Sequence, residues 1–277
     1  MDDNLKGALE VRHLQKTYRG RHRDVEAIRD LNITVAPSSL VCIVGPSGAG
    51  KTTLLKCMAG LLKPTSGSVV LHGEEVTSPP RGMAIVFQEY QRSLFPWLTV
   101  AQNVELPLKE LKLSRAERHE LVTSSLESVG LGDAGDLHPW QLSGGMQQRV
   151  AIARAVAYQP EVLIMDEPFA AVDAQTRADL EDLVRKLWKD LDLTVLFVTH
   201  DIDESVYLGE RVIVLSAAPT VVMADVEIDL PAERDQIGTR SDQRFAELRT
   251  TIYQHIQAAK RGERPDRDDT EAVAAAD

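Results

Sequence analysis

Leu40-Val41-Cys42-Ile43-Val44-Gly45-Pro46-Ser47-Gly48-Ala49-Gly50-Lys51-Thr52 decides the fold of this 277-residue chain. The first five residues are a continuous apolar run ending at glycine, which reads as a strand buried on both faces. The next eight fit a phosphate-binding loop, with two glycines at fixed offsets followed by Lys and Thr. Lys51 to Leu62 then reads as a helix, closed by Pro64. In such a loop the glycines turn backbone N–H groups inward around a phosphate, and the helix N-terminus adds a favourable dipole. Lys51 would reach the terminal phosphates and the Thr52 hydroxyl would bind Mg²⁺.

Working outward, residues 8–36 alternate apolar and polar positions and predict antiparallel strands, with a basic turn at Arg19 to Arg23. Further strands are expected at Ser68 to Leu71 and Met83 to Phe87. From Glu89 to about Pro160 the pattern turns helical and more polar, as for an inserted subdomain. Buried strands return at Val162–Met165 and Val195–Val198, separated by a helix from about Gln175 to Leu191. This strand–helix–strand alternation implies a parallel α/β sheet. Asp242 to Lys260 fits one amphipathic helix. The charged stretch from Arg261 onward lacks large apolar residues apart from Val273 and reads as disordered.

The strand at Val162 runs directly into Asp166 and Glu167. Asp166 is suited to a Mg²⁺ contact. Glu167, one residue on, can polarise an attacking water as a general base. His200 is expected to end the next apolar strand, in Phe197-Val198-Thr199-His200-Asp201, at a sheet edge where ligands collect. Gln88 follows the strand Ala84–Phe87, where its amide could meet Mg²⁺ or the attacking water. Tyr18 offers an aromatic plane for a base. Leu142-Ser143-Gly144-Gly145-Met146 opens a helical stretch and is a second anion-contacting surface. One chain therefore carries two phosphate-contacting surfaces, only one of which is a complete nucleotide pocket.

Composition bounds the alternatives. The chain is 43% hydrophobic, enough for a full core, and carries a formal net charge of −11. That balance argues against a general nucleic-acid surface, which needs Lys and Arg against phosphates. Cys42 and Cys57, the two cysteines, lie in apolar surroundings and read as core thiols rather than a disulfide or metal pair. No stretch has the length and apolarity of a membrane span, and the acidic start has no signal-peptide character. Work at a membrane would go through a partner.

Taken in order, these segments resemble the ATP-binding cassette (ABC) ATPases from residue 8 to about 225. Gly45–Thr52 looks like the first phosphate motif, Val162–Glu167 like the strand with the catalytic acid, and Leu142–Met146 like the cross-dimer motif. Gln88 is similar to the family's loop glutamine, His200 to its switch histidine, and Asp173 to the aspartate of the loop after the catalytic Glu. Tyr18 is similar to its adenine-stacking aromatic. The resemblance implies an α/β fold: a P-loop NTPase RecA-like core with an N-terminal antiparallel β subdomain and an inserted α-helical subdomain at about 89–159. A C-terminal extension would occupy 226–260, followed by an acidic tail over 261–277.

It also implies ATP contacts from Tyr18, Gly45, Pro46, Ser47, Gly48, Ala49, Gly50, Lys51, Thr52, Thr53 and Asp173. Mg²⁺ would be held by Thr52, Gln88 and Asp166, and catalysis would fall to Glu167, His200 and Gln88. Two copies would pair head to tail, the 45–52 loop of one meeting Ser143, Gly144 and Gly145 of the other. ATP closes such a pair and hydrolysis opens it.

A closer resemblance, on Phe95–Val100, Leu142–Arg149, Asp166–Phe169 and Phe197–Glu204, is to importer ATPases for nitrate, sulfonates, taurine and related small solutes. It implies a separate membrane permease docking after Gln88, with Trp97 as an interface residue or as local packing. An extracytoplasmic solute-binding protein and a peripheral place on the cytoplasmic face of the membrane would follow. The alternatives are the ATPase of an exporter or lipid transporter, and a cassette acting on DNA or the ribosome. Coiled-coil insertions, zinc modules and a second cassette, usual in the last class, are not visible. Departures from the pattern are Met146, Val172 in the Ala170–Asp173 loop, and Ser38-Ser39 where Gly-Glu is usual; none removes a reacting group.

Overall fold

The structure, a computed structural model, describes residues 9–20, 23–89 and 93–263. The middle of the expected turn at 19–23 and the expected disordered tail from 264 onward lie outside the described residues. The chain forms two compact units, Met1–Pro80 with Phe197–Asp277, and Arg81–Leu196.

In the first unit, β1 (Leu9–Tyr18) and β2 (Val25–Val35) pair antiparallel, as their alternation predicts, from Leu9↔Val35 to Tyr18↔Val25. A second set of strands follows: β3 (Leu40–Val44), β4 (Ser66–Leu71) and β5 (Glu74–Glu75). β4 and β5 extend the antiparallel sheet in the order β2-β1-β4-β5. Every residue of β3 is buried. It pairs parallel with β9 (Arg211–Leu215), which pairs antiparallel with β10 (Val222–Glu227). Sequence patterning anticipates neither β9 nor β10, although Val212–Leu215 is an apolar run of the same kind as β3. Ser38 turns between β2 and β3 at φ +55°, a conformation glycine adopts more cheaply.

β1 bulges between Val11 and Leu14. His13 there has φ +46°, and its N–H donates to Asn32 Oδ1 at 2.8 Å. Gly67 of β4 faces this bulge at φ +74°, and a Cβ on it would lie 2.1 Å from the His13 carbonyl oxygen. Backbone meets backbone, so no side-chain rotation relieves the clash. Gly67→Ala is expected to cost about 2–5 kcal/mol, combining left-handed strain of about 1–2 with overpacking of about 1–3. Gly73→Ala isolates the strain alone, since Gly73 has φ +78° with nothing within 4 Å of its Cβ position. Urea unfolding of the two variants checks this: equal midpoints would show that the close approach is unimportant.

Helix α1 (Lys51–Met58) stops short of the expected Leu62. The cause is Gly60, at φ +67°, which lets its own N–H bond Cys57 O and the Leu61 N–H bond Lys56 O. This is a Schellman closure, and it ends the helix before Pro64 can. Neither cysteine is in a disulfide, and both are buried, one on β3 and one on α1. Burial pushes the Cys57 thiol up to about 11, as expected of a core thiol.

The second unit holds β6 (Met83–Val86) and β7 (Val162–Asp166), parallel in register from Met83↔Val162. β6 ends one residue earlier than expected, leaving Phe87 exposed. β8 (Thr194–Val198) straddles the division, Thr194–Leu196 counting with the second unit and Phe197–Val198 with the first. The second unit also carries α2 (Val100–Glu105), α3 (Arg115–Ser128), α4 (Gly144–Ala157) and α5 (Ala174–Asp190). α2 and α3 begin with capping boxes, Thr99 with Gln102 and Ser114 with Glu117. α5 buries Leu180, Leu183, Val184 and Leu187 at helical spacing.

Back in the first unit, α6 (Ile202–Leu208), α7 (Gly238–Ser241) and α8 (Gln243–Lys260) close the described chain. α8 matches the expected amphipathic helix, with Phe245, Leu248, Ile252 and Ile256 buried and packing on α6 and β9. Among the described residues no helix is long and apolar enough to cross a membrane.

Candidate functional site

The first unit carries the phosphate loop. β3 delivers Gly45, and the loop 45–50 runs straight into α1. Gly48 and Gly50 sit at φ +78° and +73°, conformations other residues adopt only with strain. A Cβ at Gly45 would press on Leu215 at 3.0 Å, so the first glycine is required for packing as well. Pro46 and Ala49 line the inside of the turn, the Ala49 N–H donating to Pro46 O, while Ser47 and Thr52 are exposed. Lys51 is only 8% exposed, and its Nζ donates to Gly45 O at 3.1 Å and Pro46 O at 3.4 Å.

α1 has no side-chain cap and no acid in its first turn. Its leading N–H groups therefore meet no carboxylate of their own helix, which is what an incoming phosphate needs. The loop fits a nucleotide's phosphates. Tyr18 ends β1, 42% exposed, and its hydroxyl lies 3.2 Å from Thr53 Oγ1 on α1. Lys16 Nζ lies 5.4 Å from the centre of its ring. The aromatic plane is thus fastened to the helix that carries the phosphate loop.

His200 is exposed and does not end the strand, contrary to what its sequence position suggests. β8 stops at Val198, and His200 lies on the turn leading to α6. The reason is local: Asp201 accepts from the N–H groups of Asp203 and Glu204, an N-cap that starts a helix at once.

The second unit carries the acids. Asp166 is the last residue of β7, only 6% exposed. Glu167 follows at φ +44°, a backbone conformation rare for a residue with a side chain. Strain of this kind collects at functional positions. Gln88, exposed beyond β6, donates from Nε2 to Glu167 Oε2 at 3.3 Å. The parallel pairing of β6 and β7 thereby joins two residues 79 positions apart in the chain.

Ser143 caps α4, its Oγ accepting from the Met146 N–H at 3.3 Å. Gly144 and Gly145 form the first turn, and a Cβ on Gly145 would lie 2.4 Å from Thr176 Cγ2. Asp173 does the same work for α5. Its Oδ1 accepts from the Thr176 N–H and its Oδ2 from the Thr176 hydroxyl. The Thr176 N–H, then its hydroxyl, hold the Asp173 carboxyl below the usual carboxylate range. The family resemblance assigns Asp173 to the nucleotide; within this unit it is a helix cap.

One residue of the loop's surroundings has no sequence signal. Thr220, buried, donates from Oγ1 toward Ala49 O at 2.6 Å and Ala27 O at 2.9 Å. It ties the phosphate loop to β2 from a position 171 residues beyond Ala49 in the sequence.

Comparison with known proteins places this chemistry. The family described as ABC transporter matches residues 28–170. An uncharacterized ABC transporter ATP-binding protein of Methanocaldococcus jannaschii is 45% identical over 250 residues, covering 90% of this chain and 91% of that protein. The nitrate import ATP-binding protein NrtD of Synechocystis is 42% identical over 233 residues, covering 84% of this chain and 87% of that one. A dimeric ATP-binding cassette solved in a post-hydrolysis state with ADP and Pi superposes with a TM-score of 0.71 at 33% identity. It covers 80% of this chain and 100% of that one. With its phosphate loop, its strand-end acids and relatives matched over most of their length, this chain belongs to the ABC transporter family as an ATP-binding cassette that hydrolyses ATP in the service of transport.

Proposed function

We propose that the chain is the ATPase subunit of an importer for a small nitrate-, sulfonate- or taurine-like solute, acting as a homodimer on a separate membrane permease. Residues 8–225 form the cassette in this reading, with 89–159 as its helical subdomain and 226–260 as an extension. A peripheral place on the cytoplasmic face of the membrane and an extracytoplasmic solute-binding protein complete the assembly. The import class of the NrtD relative and the dimeric state of the solved cassette support this reading.

The observation that carries it is the Gln88–Glu167 hydrogen bond. Glu167 is the group that takes the proton of the attacking water, and Gln88 opens the segment that leads to Phe95–Thr99. That segment presents Trp97 outward, 70% exposed, its ring centre 5.2 Å from that of Phe95. Fully buried Asn103 holds it there: its Oδ1 accepts from the Phe95 N–H, and its Nδ2 donates to the carbonyls of Phe95, Leu98 and Thr99. An exposed Trp on a fixed backbone is the kind of anchor that dominates interfaces, so a permease helix docked here would act on the Gln88 segment. The interface reading of Trp97 is therefore preferred over local packing.

Lys51 and the loop N–H groups bind and orient the phosphates, with Tyr18 stacking on the adenine. His200 donates to the γ-phosphate. Ser143, Gly144 and Gly145 serve the nucleotide of the second copy. The oxygens of Thr52, Gln88 and Asp166 are the hard ligands magnesium takes, and bound Mg²⁺ would neutralise charge developing on the phosphates.

The test is a pull-down from native membranes with tagged, ATP-loaded Glu167→Gln. A multi-span permease captured together with a second copy supports the proposal. Recovery of ribosomal or DNA-repair components, with no permease, would overturn the transport partner while leaving the ATPase intact.

A further inference from the structure

The turn that carries His200 is fastened more heavily than starting a helix requires. Asp201 alone already caps α6. Yet Thr199, 2% exposed, and Glu204, 5% exposed, add a second set of bonds beneath the turn. The Thr199 hydroxyl donates to Glu204 Oε2 at 2.5 Å and accepts from the Asp201 N–H at 3.0 Å. The Thr199 N–H donates to Ile43 O at 3.2 Å, on the strand that delivers the phosphate loop. Both neighbours of His200 are thus bound to one hydroxyl, and one of them also to β3. All of these groups lie in the first unit.

The energetics single this arrangement out. Burying a carboxylate is costly, and an apolar residue of similar size often stabilises as well or better. The first turn of α6 offsets part of the cost through its dipole, and a short O–H···O⁻ bond offsets more. What the pair supplies that an apolar residue would not is direction. A hydroxyl with one proton has that proton committed to Glu204, so its lone pair is fixed toward the Asp201 N–H. The backbone on either side of His200 then has one orientation relative to β3.

We propose that Thr199 and Glu204 are positioning residues for His200, holding its imidazole at the height above β3 where it meets the γ-phosphate. This rests on the proposed role of His200 as a γ-phosphate donor. Neither residue touches nucleotide; both act through the His200 backbone.

The test is a double-mutant cycle on the purified full-length chain, reading kcat for ATP hydrolysis and the equilibrium Kd for ATP. Thr199→Val keeps the volume and deletes the hydroxyl. It should lower kcat about 10- to 100-fold, the scale of a misplaced reacting group, with Kd unchanged, and Thr199→Ser should restore turnover. In a His200→Ala background, Thr199→Val should produce no further loss. An equal loss in both backgrounds, or wild-type turnover of Thr199→Val where His200→Ala is impaired, overturns the positioning role alone. Wild-type turnover of His200→Ala overturns the reading of His200 itself, and this proposal with it. If Thr199→Val melts below the assay temperature, Glu204→Met carries the same cycle, since it keeps the side chain's length and removes the oxygen that accepts from Thr199.

Discussion

Glu167→Gln is expected to lower kcat for ATP hydrolysis by about 10²–10⁴-fold, the range associated with loss of a positioned general base, while ATP binds as tightly as before. The substitution exchanges one carboxylate oxygen for an amide nitrogen. Volume is kept, and the amide oxygen can still accept from Gln88 Nε2, whose bond to Glu167 is 3.3 Å long. Folding therefore has no reason to change, and Asp166, buried at the end of β7, is untouched. What disappears is the basicity needed to take a proton from the attacking water. In the proposed homodimer ATP would drive closure and hydrolysis opening, so the variant should also accumulate as an ATP-dependent dimer. Steady-state turnover and size-exclusion chromatography with light scattering check both points. Turnover within a factor of two of wild type would remove Glu167 from the reaction.

The second large effect is expected from Lys51→Met, which keeps much of the stem and removes the ammonium. Lys51 is buried with its Nζ held by the carbonyls of Gly45 and Pro46, so its charge lies inside the loop that faces the phosphates. Charge-assisted hydrogen bonds contribute about 1.5–3 kcal/mol each. Losing contacts to both terminal phosphates should weaken ATP binding by about 100-fold or more on that scale. ADP, which lacks the γ-phosphate, should lose less, and that difference separates a lost phosphate contact from a collapsed loop. Equilibrium titration with both nucleotides reads it. Equal losses for ATP and ADP together with a lowered melting temperature would mean that Lys51 serves only to hold the turn.

These two residues are legible in the amino-acid order because their placement depends on local succession. A strand, a glycine loop and a helix in series place Lys51 wherever the chain goes, and a buried strand places Asp166 and Glu167 at its end. The same holds for α5 and α8, whose apolar spacing survives as their buried faces. Boundaries are less legible. α1 ends at Met58 because Gly60 closes it, a short-range capping signal that overrides an apolar run. β8, by contrast, ends at Val198, where its apolar run ends. β9 and β10 escape a reading of the sequence although their composition is that of strands. Without the parallel partner β3, nothing distinguishes the apolar run at Val212 from other core segments.

By itself, then, the amino-acid order determined the class of fold and, through the family it resembles, the nucleotide and the candidate reacting groups, because the motifs are written in contiguous residues with fixed spacing. Only the tertiary structure decided how those groups are held. The Gln88–Glu167 bond depends on β6 lying beside β7, and the Thr220 tether of the phosphate loop joins chain segments 171 residues apart. Asn103 turns Trp97 outward, and Thr199 with Glu204 braces His200. Hydrogen bonds of this kind depend on distances set by packing, which no local pattern encodes.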